Sequence, residues 1–444
     1  MLMHLYGTQA VNEKGHLTIG GVDHAELVEQ YQTPLVVYDI ALFRERARAF
    51  KRTFENLAIE AEVAYASKAF SSVAIYEIAA EEGLSLDVVS GGELYTAIIA
   101  GFPRERIHFH GNNKSIAELR YAFEAEIGCI VVDNFSEIGH IQQLAAEYRQ
   151  PMNVLIRVTP GVEASTHAYI TTGQEDSKFG FDLKNGQADE AFRLLHDDAY
   201  IQVLGMHCHI GSQIFETTGF QYAAKALMDK MFAWREQYNF VCPVLNLGGG
   251  FGIRYTEEDT PLPPEQYVEG MTKVVLAMAQ EAKYPMPAIW IEPGRSLVGD
   301  AGTTLYEVGS RKEVPNIRTY IAVDGGMSDN IRPALYDAKY NAVTANKMNE
   351  PHTETITLAG KCCESGDKLI EDAQLTNIEE GDIIAMFCTG AYSYSMASNY
   401  NRIPRPAVVF VENEQHTLAI RRETYEDIVR LDLSLQATKR GENV

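Results

Sequence analysis

The chain has 444 residues, more than one ordinary domain holds, and its 46% hydrophobic content is that of a globular protein. It carries 38 basic against 61 acidic residues, a net charge of −23 with no long basic cluster, which excludes nucleic acid and anionic membrane as favoured partners. Cys129, Cys208, Cys242, Cys362, Cys363 and Cys388 are too sparse for a disulfide scaffold, no apolar run approaches a membrane span, and Met1 to Gly20 shows no secretory pattern, so a reduced, cytoplasmic protein is expected.

Residues 1–34 lack helical periodicity and contain Leu17-Thr18-Ile19-Gly20-Gly21. Leu35-Val36-Val37-Tyr38 reads as a strand, and Asp39 suits the cap of a helix running to about Asn56. Apolar, strand-like runs then recur at 62–66, 84–89, 106–109, 129–132, 153–158, 203–209, 244–247 and 288–291, with helical patterns in most of the gaps. Ser115-Ile116-Ala117-Glu118 is a capping box, and Gly83 and Gly101 suit helix C-termini.

Eight apolar strands alternating with helices predict a (β/α)8 TIM-type barrel, the helix at 39–56 filling the place of a missing last helix. The gap from Thr159 to Gln202 predicts a long loop ahead of its helix. From Thr303 the rhythm changes to short β-like runs at 303–308, 318–323, 353–359, 382–387 and 406–412. The expected organisation is an α/β barrel over 36–302 and a β-sandwich-like domain built from 303–444 and joined by the N-terminal segment 1–35.

Chemistry in such a barrel gathers at the C-terminal ends of the strands. Strand one ends at Lys68, among apolar neighbours whose desolvation would favour a neutral, nucleophilic amine; the bland alternative is a surface lysine closing a strand. Strand two ends in Asp87 to Glu93, and strand three in His110-Gly111-Asn112-Asn113-Lys114. Gly248-Gly249-Gly250 follows strand seven, where backbone N–H groups can cradle a phosphate; otherwise it is a tight turn. Ser212 can add a hydroxyl donor. His207 and His209 share a strand face, yet no third and fourth ligands accompany them, so no metal is expected. His209 is read as an imidazole lying flat on a cofactor ring, and His207 as a core histidine. Glu292 needs a partner if buried, either Arg295 or a protonated ring nitrogen. A lysine, a phosphate cradle, a flat histidine and a carboxylate together fit pyridoxal 5′-phosphate.

Tyr65-Ala66-Ser67-Lys68-Ala69, His209-Ile210-Gly211-Ser212, Gly248-Gly249-Gly250 and Glu292-Pro293-Gly294-Arg295 resemble the pyridoxal-phosphate barrel decarboxylases of alanine-racemase-like fold. Cys362-Cys363-Glu364-Ser365-Gly366-Asp367, Gly390-Ala391-Tyr392-Ser393-Tyr394-Ser395-Met396 and Arg332-Pro333-Ala334-Leu335-Tyr336 look like the diaminopimelate-specific branch. The resemblance spans about Thr33 to Arg405. It implies that Lys68 carries the cofactor as a Schiff base and that His209 stacks on the ring. It places the phosphate with Ser212, Gly249, Gly250 and Gly294, and Glu292 at the pyridine nitrogen. Arg295, Arg332, Tyr336, Glu364 and Tyr392 would contact substrate, with Arg295 and Tyr392 also near the cofactor. Cys363 would donate the proton, reaching the partner's barrel in a homodimer with shared active sites. The implied reaction is decarboxylation of meso-2,6-diaminopimelate to L-lysine and CO2. An ornithine- or lysine-type decarboxylase, a racemase on the same scaffold, or a catalytically silent regulatory homologue are the alternatives; the joint presence of Lys68, Glu292 and Cys363 argues against the last.

Overall fold

The computed structural model describes residues 4–161 and 177–435, which form two units: Leu42–Asp300, and Met1–Ala41 with Ala301–Val444. In the first unit the eight apolar runs are strands Ala61–Ala66, Ser85–Val88, Ile107–Phe109, Cys129–Val132, Met152–Thr159, Ile201–His207, Val244–Asn246 and Ala288–Ile291. Each pairs in parallel with its sequence neighbour, strand eight returns to strand one through Ile289↔Ala61, and the ring is closed. Closure leaves no exposed edge and buries both faces, which explains why these strands are apolar rather than alternating.

The helices stop and start on local chemistry. Ser115 and Glu118 form the reciprocal capping box that opens Ile116–Glu124, worth about 1 kcal/mol. Gly83 and Gly101 follow helix ends with φ of 69° and 66°, a left-handed conformation that a side chain would strain. After strand eight there is only the short helix Arg295–Val298. Ile40–Asn56 supplies packing of the missing eighth helix, with Phe43 against Tyr65 of strand one and Phe50 against Phe251 beyond strand seven.

Side-chain alternation organises the barrel interior in layers. In the lower layer Cys129, Val131, Leu155, Val244 and Trp290 form a buried cluster, with His108 stacked on Trp290 at 4.4 Å. Two residues further along strands two, three, seven and eight stand Asp87, His110, Asn246 and Glu292, all buried. Period two therefore carries each strand from packing into polar chemistry.

The second unit is sheet-rich. One sheet runs, in spatial order, Lys368–Leu375, Glu354–Ala359, Arg318–Val323, Gly302–Val314, Leu35–Asp39, Ala407–Glu412 and Gln415–Ile420. Ile383–Phe387 pairs with Gly302–Val314 and with Ala342–Thr344. Leu35–Asp39, placed by the sequence at the head of the barrel, is antiparallel to Gly302–Val314 and parallel to Ala407–Glu412. An apolar strand advertises burial but not its partner, so the run alone could not reveal this.

Residues 24–31, expected to lack helical character, form the helix His24–Tyr31, capped by Asp23. It buries only His24 and Leu27, too few positions to display a period. Of the long loop expected after Thr159, residues 162–176 lie outside the described residues; its helix is Gln187–His196. Among the described residues no helix is long and apolar enough to cross a membrane.

Candidate active site

Strand one passes into a single 3-10 turn, Ser67–Ala69. Ser67 and Ala69 are buried while Lys68 is exposed, so the desolvated lysine expected from the flanking sequence is not what the chain presents. The turn's two buried positions are taken by the flanking residues Ser67 and Ala69. The Lys68 ammonium still acts electrostatically on Asp87, Glu93, His207 and His209, which places it over the polar ends of the strands. Ser67 Oγ donates to Glu93 Oε2 at 3.0 Å, fixing the base of the turn.

Glu292 is buried just beyond strand eight. Asn246 Nδ2 donates to its Oε1 at 2.6 Å, and His207 Nε2 lies 3.0 Å from its Oε2. His110 Nε2 lies 3.1 Å from Oε1, and 3.7 Å from Asp87 Oδ1 on its other side. Burial alone would raise the Glu292 carboxyl, but His110 and His207 outweigh it and hold it well below the usual carboxylate range. Burial also lowers both histidines, and the neighbouring Glu292 opposes that lowering. Asp87 is pushed up to about 6 by burial, with His110 and Lys68 opposing and the nearby charge of Glu292 adding to the rise. Burial thus ends in opposite shifts at the two neighbouring carboxyl groups.

His209 is half-buried, and Gly249 N–H donates to its Nδ1 at 3.3 Å. Burial lowers it well below the ordinary histidine range, and the cations Lys68 and Arg157 add to that. The glycine turn is enforced by close backbone approach: a Cβ at Gly248, Gly249 or Gly250 would stand 2.3, 2.0 or 2.2 Å from the carbonyl oxygens of Cys208, Glu292 and Gly211. These glycines lace the loops after strands six, seven and eight together. Gly294 packs its α-carbon against Ala66, next to the lysine turn. Arg295 is buried, with Nη2 donating to Ser212 Oγ at 2.9 Å and Nη1 to Tyr255 Oη at 2.5 Å. A guanidinium, a hydroxyl and glycine backbone at one place are a donor set suited to a phosphate, and an ionised carboxylate across the barrel mouth suits a protonated ring nitrogen. The residues present therefore fit pyridoxal 5′-phosphate.

The remaining predicted residues belong to the sheet-rich unit. Arg332 is buried at the start of Arg332–Tyr336, its Nε donating to Tyr340 Oη at 2.9 Å and its guanidinium lying 5.5 Å from the ring centres of both Tyr336 and Tyr392. Asp329, three residues earlier, accepts from Tyr306 Oη and Gly326 N–H, and burial pushes it up to about 7. Cys363 and Glu364 are exposed on a loop whose base is pinned by buried Asp367, which accepts the N–H groups of Met327 and Cys362. Cys362 is buried and its thiol raised by that burial, so the two adjacent cysteines differ in access.

Sequence reasoning missed Asn246, the contact of His110 with Glu292, and Tyr255. It also took His207 only for a core histidine without third-ligand company, whereas His110, His207 and Glu292 bring ligand-type atoms within 4.8 Å of one another. The available signal was a polar residue two positions beyond an inward-facing one of the layer below, as in Val244 to Asn246 and His108 to His110.

A closed parallel barrel with a lysine turn after strand one and a carboxylate held charged after strand eight defines a pyridoxal-dependent decarboxylase: the family model described as "Pyridoxal-dependent decarboxylase, pyridoxal binding domain" matches residues 40–299. Over both units the chain is 64% identical to the diaminopimelate decarboxylase of Bacillus subtilis, covering 97% of this chain and 98% of that one, and 63% identical to that of Bacillus methanolicus, covering 95% and 98%. The crystal structure of the diaminopimelate decarboxylase from M. jannaschii in complex with L-lysine superposes with a TM-score of 0.90 at 36% identity, covering 97% of this chain and 98% of that chain. The chain belongs to the diaminopimelate decarboxylase family.

Proposed function

We propose that the chain decarboxylates meso-2,6-diaminopimelate to L-lysine and CO2 with pyridoxal 5′-phosphate, the last step of lysine formation. The observation that carries this reading is likeness across both units, 64% identity over 97% of the chain, to an enzyme bearing that name. When bound, the cofactor supplies a protonated ring that accepts the electron pair left by the departing CO2.

The chain's residues have the following tasks. Lys68 holds the cofactor's aldehyde carbon through its amine. Ser212, Gly249, Gly250, Gly294 and Arg295 take the phosphate, and His209 lies against the ring. Glu292, held ionised by its donors, keeps a proton on the ring nitrogen. Arg332 and Arg295 take substrate carboxylates, with Tyr336 and Tyr392 beside Arg332, and Glu364 takes the distal ammonium. Cys363 Sγ gives the proton to the carbon that lost CO2; its exposure on a pinned loop supports a role in a partner's barrel within a cytoplasmic homodimer. No metal is invoked. Incubating the purified chain with pyridoxal 5′-phosphate and meso-diaminopimelate should yield equal amounts of lysine and CO2; absence of both from a folded, cofactor-loaded protein would refute the reading.

A further inference from the structure

Asn246 is fully buried at the end of an otherwise apolar strand, where a carboxamide is costly unless both halves are paired. Both are. Its Oδ1 accepts Gly248 N–H at 2.9 Å, and its Nδ2 donates to Glu292 Oε1 at 2.6 Å. The first bond dictates the second. A backbone N–H can only donate, so Gly248 requires the amide oxygen; the NH2 is left facing Glu292 and requires an acceptor there. Gly248 cannot yield, because its φ is 69° and its α-carbon is wedged against the Cys208 carbonyl. On the other carboxylate oxygen, His207 Nε2 completes the clamp at 3.0 Å.

We propose that Asn246 is a positioning residue that holds the Glu292 carboxylate in place and ties it to the glycine turn 248–250. The inference rests on the reading of Glu292 as partner of the ring nitrogen. The titratable groups facing Glu292 are Lys68 from strand one, Asp87 from strand two, His110 from strand three, Arg157 from strand five, and His207 and His209 from strand six. The thiols of Cys129 and Cys208 are raised by burial and stay neutral. None of these takes both a backbone N–H of the turn and an oxygen of Glu292, as Asn246 does.

The test is Asn246→Ser, whose hydroxyl can accept from Gly248 N–H but is too short for Glu292, so the NH2 is removed without adding a charge. In the full chain without cofactor, infrared titration follows the Glu292 carboxyl band, identified by its loss in matched Glu292→Gln variants. Its midpoint should rise by about one pH unit or more, the size of one hydrogen bond to a charged group. In the loaded enzyme kcat should fall while KM stays within about twofold, because the carboxylate is no longer aimed. Unchanged midpoint and kcat in a folded variant would overturn the proposal. Asn246→Thr, which fills more of the volume and equally lacks the NH2, carries the same expectation if Asn246→Ser does not fold. A shifted midpoint in a chain that makes no lysine would uphold the Asn246–Glu292 coupling and refute only the proposed reaction.

Discussion

Lys114→Met removes a buried cation from the loop that follows His110. Lys114 Nζ donates to Glu137 Oε1 at 2.5 Å, to Val131 O at 2.8 Å and to Gly111 O at 2.9 Å, and the two side chains are 1% and 2% exposed. A thioether of similar length fills the volume but strands the carboxylate and two carbonyls. Breaking such a buried pair costs about 3–5 kcal/mol. Glu137 keeps one donor, the Asp133 N–H at 2.8 Å, so the loss should fall near the lower end, about 3 kcal/mol at pH 7.5. The pH dependence has a definite sign. Burial raises the Glu137 carboxyl and Lys114 opposes that, so removing Lys114 raises it further. An acid whose folded pKa lies above its unfolded value costs stability above the folded pKa, and the cost fades as pH falls through it. The deficit should therefore shrink on acidification. Urea unfolding followed by fluorescence reads this out, since both tryptophans, Trp234 and Trp290, lie in the barrel unit. A loss below about 1 kcal/mol at pH 7.5, the range of an exposed pair, or a deficit that grows on acidification, would refute the reasoning.

Lys68→Ala should abolish both the visible absorbance of bound cofactor and turnover, as read by the spectrum of the purified protein; retention of the wild-type spectrum would assign the cofactor to another lysine. Arg332→Met should lower kcat/KM for meso-diaminopimelate by about 2–5 kcal/mol in transition-state terms while leaving the cofactor spectrum unchanged. Mixing inactive Lys68→Ala with inactive Cys363→Ala, once subunit exchange is verified by labelling, should restore part of the activity through hybrid dimers; no recovery would place both residues in one chain's site.

The barrel was legible because a strand buried on both faces is apolar along its length, and eight such runs separated by helices leave few alternatives. The second sheet was less so. Lys368–Leu375 carries charges on its exposed positions, Gln415–Ile420 is largely exposed, and Ala342–Thr344 is three residues long, so none stands out as an apolar run. In the site, the lysine, the glycine turn and Glu292 announced themselves by position at strand ends. The partners of Glu292 did not, because Asn246 and His110 come from strands far apart in sequence that only barrel closure brings together. The exposure of Lys68 was likewise hidden, since a strand end fixes where a residue stands but not which way its turn sends the side chain.

The central claim is that the site takes a substrate with a carboxylate at its far end. The specificity constants of the loaded enzyme for meso-diaminopimelate, L-lysine and L-ornithine test it most directly. A distal group that is only an amine offers Arg332 no carboxylate to bind, so meso-diaminopimelate should be turned over to L-lysine and the two diamine precursors hardly at all. Efficient decarboxylation of L-lysine or L-ornithine, with meso-diaminopimelate ignored, would contradict the account.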